Sequence, residues 1–177
     1  PQPMGTAGAY KFAEDLIREP TVVFNGDILT DLDLKSVIRE HTERNATATI
    51  VLTPVENPSS YGLVETESDG RIRRFLEKPK DESLLQDLRI SEELLSKIGS
   101  SVEEELYQAS MGIYLFNREV LVRCLENDYF DFGKHIIPQA IKDWHVSAYI
   151  FKGYWEDIGT IRAFYEATLE LTDLVPA

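Results

Sequence analysis

The chain is short of thiols, of bases and of long apolar runs. Among its 177 residues Cys124 is the only cysteine. That excludes an internal disulfide and any thiolate cluster around a metal, and it fits a reducing, cytoplasmic compartment. No stretch approaches the ~18 apolar residues of a membrane-spanning helix. The first residues, PQPMGTAGAYKF, have no apolar signal core and do not begin with methionine, so the chain reads as a piece excised from a longer one. Bases number 18 against 31 acids, a formal charge of −13. A body that acidic repels nucleic-acid backbones, yet one lysine in a cleft still suffices for a small phosphorylated ligand. His41, His135 and His145 lack metal-ligand spacing, and no repeat of fixed period is visible.

What is present describes one soluble domain. Hydrophobic residues make up 43% and charged residues 28%, which is ordinary for a globular domain of this length. TVVF (21–24), ATATIVLTPV (46–55), QASMGIYLF (108–116) and VSAYIFK (146–152) read as strands. A helix is expected over 8–18, ended by Pro20, and another over 34–44 capped by Asp33. Further helices are expected over 118–126, 132–142 (delayed by Pro138) and 161–174. Residues 61–67 and 71–77 read as a hairpin turning at Ser68-Asp69-Gly70. The acidic stretch 80–106 reads as a helical surface insertion. Strands alternating with helices predict an α/β fold with a largely parallel sheet and one antiparallel hairpin. No internal domain boundary is visible, so residues 1–177 are expected to form one domain, with the insertion at about 80–106.

In such sheets ligands bind beyond the carboxyl ends of strands. Asp27 follows TVVF and the turn Asn25-Gly26. Asp157 follows VSAYIFK and the pair Tyr154-Trp155. Held at neighbouring strand ends, the two carboxylates suit one Mg²⁺ ion. The competing reading is a turn residue at 27 and a helix cap at 157. Lys78, before Pro79, is a compact charge for a phosphate monoester, with Glu77 beside it to accept sugar hydroxyls. Its competing reading is a solvated lysine paired with Asp81. Gly5-Thr6-Ala7 opens a helix whose N-terminus favours anions, or starts the helix for local reasons only. Ser110 and Gly112 lie within a strand, where glycine marks either a ligand's approach or a bulge. Cys124 reads as a core thiol.

Taken in order, GTAGA (5–9), FNGDIL (24–29), YGLVETESDGRIRRFLEKP (61–79), ASMGIYLF (109–116), FDFGKHIIP (130–138) and GYWEDIGTIRAFYEATLEL (153–171) resemble the sugar-nucleotide pyrophosphorylases. Within that family ASMGIY, DFGKHIIP and YWEDIGTI are most similar to the glucose-1-phosphate adenylyltransferase branch. Gly8 in GTAGA is more like the guanylyl and thymidylyl branches. The resemblance implies a Rossmann-like nucleotidyltransferase fold, incomplete at its N-terminal edge because no Gly-rich triphosphate loop precedes these segments. It also implies a reaction in which a nucleoside triphosphate and a sugar 1-phosphate give a nucleotide-sugar and pyrophosphate. ATP, glucose 1-phosphate and glucan biosynthesis go with the adenylyl branch; the alternatives are a mannose-1-phosphate guanylyltransferase or other NDP-sugar synthase, and a non-catalytic sugar-phosphate-binding or regulatory subunit. Asp27 and Asp157 are then expected to hold Mg²⁺, and Lys78 to bind the sugar phosphate. Gly62, Glu77 and Ser110 are expected to line the sugar pocket, and Gly5, Thr6, Ala7, Asn25 and Gly26 to lie near the nucleotide. A homo-oligomer is expected of the full-length protein, with no nucleic-acid or membrane partner.

Overall fold

A computed structural model describes residues 5–101, 103–126, 128 and 130–172. Its spine is two apolar segments. β3 (Ala48–Val55) and β6 (Tyr107–Phe116) pair antiparallel, and every residue of β6 is buried. β7 (Val146–Ile150) lies parallel to β3 on the other side. The second edge of β6 has two partners. Ile113 to Phe116 pair with β1 (Thr21–Phe24), whereas Gln108 and Ala109 pair with β4 (Gly62–Thr66). β4 returns through the expected hairpin as β5 (Ile72–Glu77).

β1, β3, β4 and β7 therefore point one way, and β6 runs against them in the middle of a mixed six-stranded sheet. The sequence suggests a mostly parallel sheet. The strand directions largely agree with that, but the reversed β6 makes its pairings with β1, β3 and β4 antiparallel, and β3–β7 is the one parallel pairing among the described residues. An all-apolar strand reports burial on both faces and says nothing of direction.

Period-2 alternation divides the core. Ala48, Ile50 and Leu52 of β3, with Tyr114 and Phe116 of β6, face α1 (Gly5–Phe12), α5 (Arg118–Leu125) and α6 (Ile137–Asp143). Val51, Ile113 and Leu115 face the opposite side, where Val37 of α2 (Leu34–Glu43) packs. As expected, Asp33 caps α2, its carboxylate accepting Lys35 N–H at 3.0 Å. Pro138 lacks the N–H needed inside a helix, so α6 begins only at Ile137, and the turn before it, Phe132–Ile136, is wound as a wider π-helix.

The 80–106 insertion is more than a solvated face. α3 (Glu82–Asp87) and α4 (Glu92–Ile98) enclose a small core of Ile90, Leu95 and Leu106. Leu88 packs with Leu63, Tyr107 and Ala109 of the sheet. Finally, β2 (Ile28–Thr30) and β8 (Trp155–Asp157) form a separate two-stranded ribbon, followed by α7 (Ile161–Glu170). The expected continuation of that last helix to Leu174 ends outside the described residues. No described helix is long and apolar enough to cross a membrane.

Candidate active site

The cleft arises where β6 changes partner. Between Ala109, which pairs with β4, and Ile113, which pairs with β1, the residues Ser110, Met111 and Gly112 have no strand on that edge. β1 ends there and turns outward through Asn25; β4 begins there after Ser60 and Tyr61. The result is a cleft of about 120 Å³, bounded by Asn25, Gly62, Glu77, Lys78, Ser110 and Asp157 among others. Thus six of the residues singled out in the sequence, from five separate segments, meet at one place. A larger hollow of about 440 Å³ lies elsewhere, beneath α4, lined by none of them.

Gly112 makes the junction possible. Its φ is +73°, the left-handed region, and a Cβ there would lie 2.6 Å from Asn25 Nδ2. The Asn25 N–H in turn donates to the Gly112 carbonyl at 3.3 Å. Ser110 Oγ stands 3.4 Å from both the Tyr114 hydroxyl and the Gly112 N–H. Burial pushes the Tyr114 phenol up to about 12.

Glu77 lines the same cleft as Asp157. A Cβ on Gly62 would stand 3.0 Å from its Oε2, and one on Gly133 would stand 2.5 Å from the same atom. The carboxylate thus rests between two α-carbons. Burial raises its pKa, and Asp131 adds to the rise while Lys78 and Lys134 oppose it. Lys78 follows at φ +47°, left-handed for a residue with a side chain and immediately before a buried proline. Its N–H donates to the Tyr61 carbonyl at 3.2 Å. Strain of this kind persists only where the surroundings impose it. The competing partner proposed for Lys78 is otherwise employed, because Asp81 caps α3 through Ser83.

The two aspartates converge. Ile28 and Asp157 are register partners, and the Ile158 N–H donates to the Asp27 carbonyl at 2.9 Å. A Cβ on Gly159 would sit 3.0 Å from Asp157 Oδ1 and 3.4 Å from Asp27 Oδ2, so both carboxylates flank the same bare α-carbon. Asp157 does not cap the final helix: Thr160 does, accepting the Ala163 N–H at 3.1 Å. Asp157 Oδ1 instead accepts the Gly159 N–H at 3.0 Å. Two exposed hard-oxygen donors around a glycine suit a divalent cation such as Mg²⁺.

Three residues expected near the nucleotide, Gly5, Thr6 and Ala7, do not line this cleft. Ala7 is fully buried and its N–H donates to the Phe130 carbonyl at 2.9 Å. Thr6 Oγ1 accepts the Phe132 N–H at 3.0 Å, and a side chain on Gly5 would collide with the Phe130 carbonyl. The smallness of this segment admits the chain's own 130–132 backbone, so the cleft is not lined by it. Gly26 is exposed beside Asp27, with open space around its α-carbon.

Sequence reasoning passed over three wall residues. Tyr61 and Trp155 pack ring to ring at 5.1 Å, and Trp155 Nε1 donates to the Met111 carbonyl at 3.3 Å. Tyr114 stacks on Phe132 at 5.6 Å. Aromatics bracketing a turn glycine were the available signal for Tyr61, but its approach to Trp155 spans 94 positions of chain. Gly133 carries no signal of its own.

An α/β sheet opening at its strand ends onto paired acids, a lysine and an aromatic wall is an arrangement suited to positioning phosphorylated ligands. The family model described as nucleotidyl transferase matches residues 1–173. The chain belongs to the nucleotidyl transferase family, whose members act on nucleoside triphosphates and sugar phosphates.

Proposed function

We propose that this chain supplies the sugar-1-phosphate half of a nucleotidyltransferase site, and that the reaction joins ATP and glucose 1-phosphate into ADP-glucose and pyrophosphate. An oxygen of the sugar phosphate attacks the α-phosphorus of the triphosphate. The bond from that phosphorus to the bridging oxygen breaks, and pyrophosphate leaves with the electron pair. Such transfers demand in-line placement and charge neutralisation more than covalent chemistry.

The roles are those the family resemblance implies, and the shared cleft supports them. Lys78 binds the phosphate of glucose 1-phosphate, holding an anion that the net charge of −13 would otherwise repel. Glu77 accepts hydrogen bonds from sugar hydroxyls, and Gly62 and Ser110 line the same pocket. Asp27 and Asp157 are the residues that would hold Mg²⁺, which when bound supplies positive charge to the reacting phosphates. Asn25 and Gly26 bound the side toward the nucleotide. The adenylyl assignment is supported by ASMGIY, DFGKHIIP and YWEDIGTI.

The observation that carries this reading is the meeting of Glu77 and Lys78 with Asp157 on one small cleft. Calorimetric titration of the chain with glucose 1-phosphate in Mg²⁺ tests it. Saturable binding that Lys78→Ala abolishes is the expected result. Equal or tighter binding of mannose 1-phosphate would move the assignment to the guanylyl branch, and failure to bind either would overturn it.

A further inference from the structure

Glu77 has a neighbour that no chemical role accounts for. Gly133 sits in the π-helical turn Phe132–Ile136, with its α-carbon against the Glu77 carboxylate. A Cβ there would lie 2.5 Å from Oε2 and 3.0 Å from Cδ, closer than real contacts allow. Its φ lies outside the left-handed region, so the backbone does not require glycine at this position. Gly62 differs: a side chain there would also collide with the Phe75 ring, a core residue. The bareness of Gly133 serves mainly the carboxylate.

We propose that Gly133 is a positioning residue of the sugar pocket, leaving the room in which the Glu77 carboxylate stands toward the substrate hydroxyls. This rests on the sugar-1-phosphate reading of the cleft. A methyl at 133 pushes the carboxylate away from its place between two α-carbons. The displaced atoms are the far end of a flexible side chain, so the fold tolerates the change while the acceptor moves. A hydroxyl that then loses its charged acceptor binds less well. The wide turn fits this purpose, since π-helical segments are frequent at functional sites.

A double-mutant cycle on the 177-residue chain decides the matter, read by calorimetric titration with glucose 1-phosphate and by thermal melting. Gly133→Ala is expected to weaken binding on the order of tenfold, the usual worth of a hydrogen bond to a charged group. Its melting temperature is expected to stay close to that of the parent. Because Gly133 acts through Glu77, adding Gly133→Ala to Glu77→Gln should cause little further loss. Unchanged affinity in Gly133→Ala overturns the inference. So do losses that simply add, which would mean Gly133 acts independently of Glu77, and so does an unfolded variant, which would make the glycine a backbone requirement. If the unsubstituted chain itself fails to bind glucose 1-phosphate, it is the sugar-phosphate reading that falls.

Discussion

The carbonyl oxygen of Asp27 accepts the Ile158 N–H at 2.9 Å. That bond closes the β2–β8 ribbon at its site end and lays the acid after β1 beside the acid that ends β8. The ribbon is only three residues a side, yet it joins two segments some 130 positions apart. Whatever the paired carboxylates bind is therefore held by backbone pairing, and not by the flexibility of two loops.

Replacing either acid by its amide should leave the fold intact, because both side chains are exposed. Mg²⁺ should raise the melting temperature of the parent chain by binding the folded state alone. That rise should vanish in Asp27→Asn/Asp157→Asn. In a turnover assay with ATP and glucose 1-phosphate, pyrophosphate release should fall by about 10²-fold or more in either single variant. A parent chain that melts identically with and without Mg²⁺ would count against the acid pair as a metal site.

Lys78 predicts a trade of stability against function. A side chain at φ +47° costs about 1 kcal/mol relative to glycine in the left-handed region. Lys78→Gly should therefore stabilise the chain against urea by about that amount. It should also abolish binding of glucose 1-phosphate, because the ammonium is gone. Lys78→Ala should abolish binding without the gain in stability. Equal stabilities of the two variants would show that the backbone strain at this position is negligible.

Glu77 predicts a pH dependence. Burial is the largest cause of its raised pKa, with Asp131 adding and Lys78 and Lys134 opposing. Below the ordinary glutamate value of 4.5 the carboxyl is protonated in folded and unfolded chains alike. As pH rises from there, the unfolded chain releases the proton first, so this group's contribution to stability falls until the folded pKa is passed. Glu77→Gln stays neutral throughout. Urea melts at about pH 4 and about pH 8 should therefore find the glutamine variant gaining on the parent at the higher pH.

Much of this was legible in the residues because burial and turns leave local marks. TVVF, the 61–77 hairpin, the apolar β6 and the Asp33 cap all declare themselves within a few positions. So did most of the cleft, since Asn25, Gly62, Glu77, Lys78, Ser110 and Asp157 stand at strand ends or strand breaks. The rest depends on distant pairing. β2 and β8 are too short to show a period, and the reversal of β6 is set by its partners and leaves its own composition unchanged. The packing of Thr6 and Ala7 on the 130–132 backbone was not legible, because a small, polar helix start suits a phosphate and a neighbouring backbone equally well. Gly133 was silent because its reason lies in a carboxylate 56 residues earlier.

The contrast between two glycines provides the last prediction. Gly112 has φ +73° and meets the Asn25 amide at 2.6 Å with any added Cβ, while Gly26 has open space around its α-carbon. Gly112→Ala must both strain the backbone and push Asn25 out of the junction between β1 and β6. It should cost at least about 2 kcal/mol in a urea melt. Gly26→Ala, on an exposed turn with no left-handed φ, should change stability by no more than about 0.5 kcal/mol. If Gly26→Ala nevertheless lowers turnover, that would support a substrate passing close to the Gly26 α-carbon. Equal stability losses in the two alanine variants would mean that the β6 junction does not depend on the shape of residue 112.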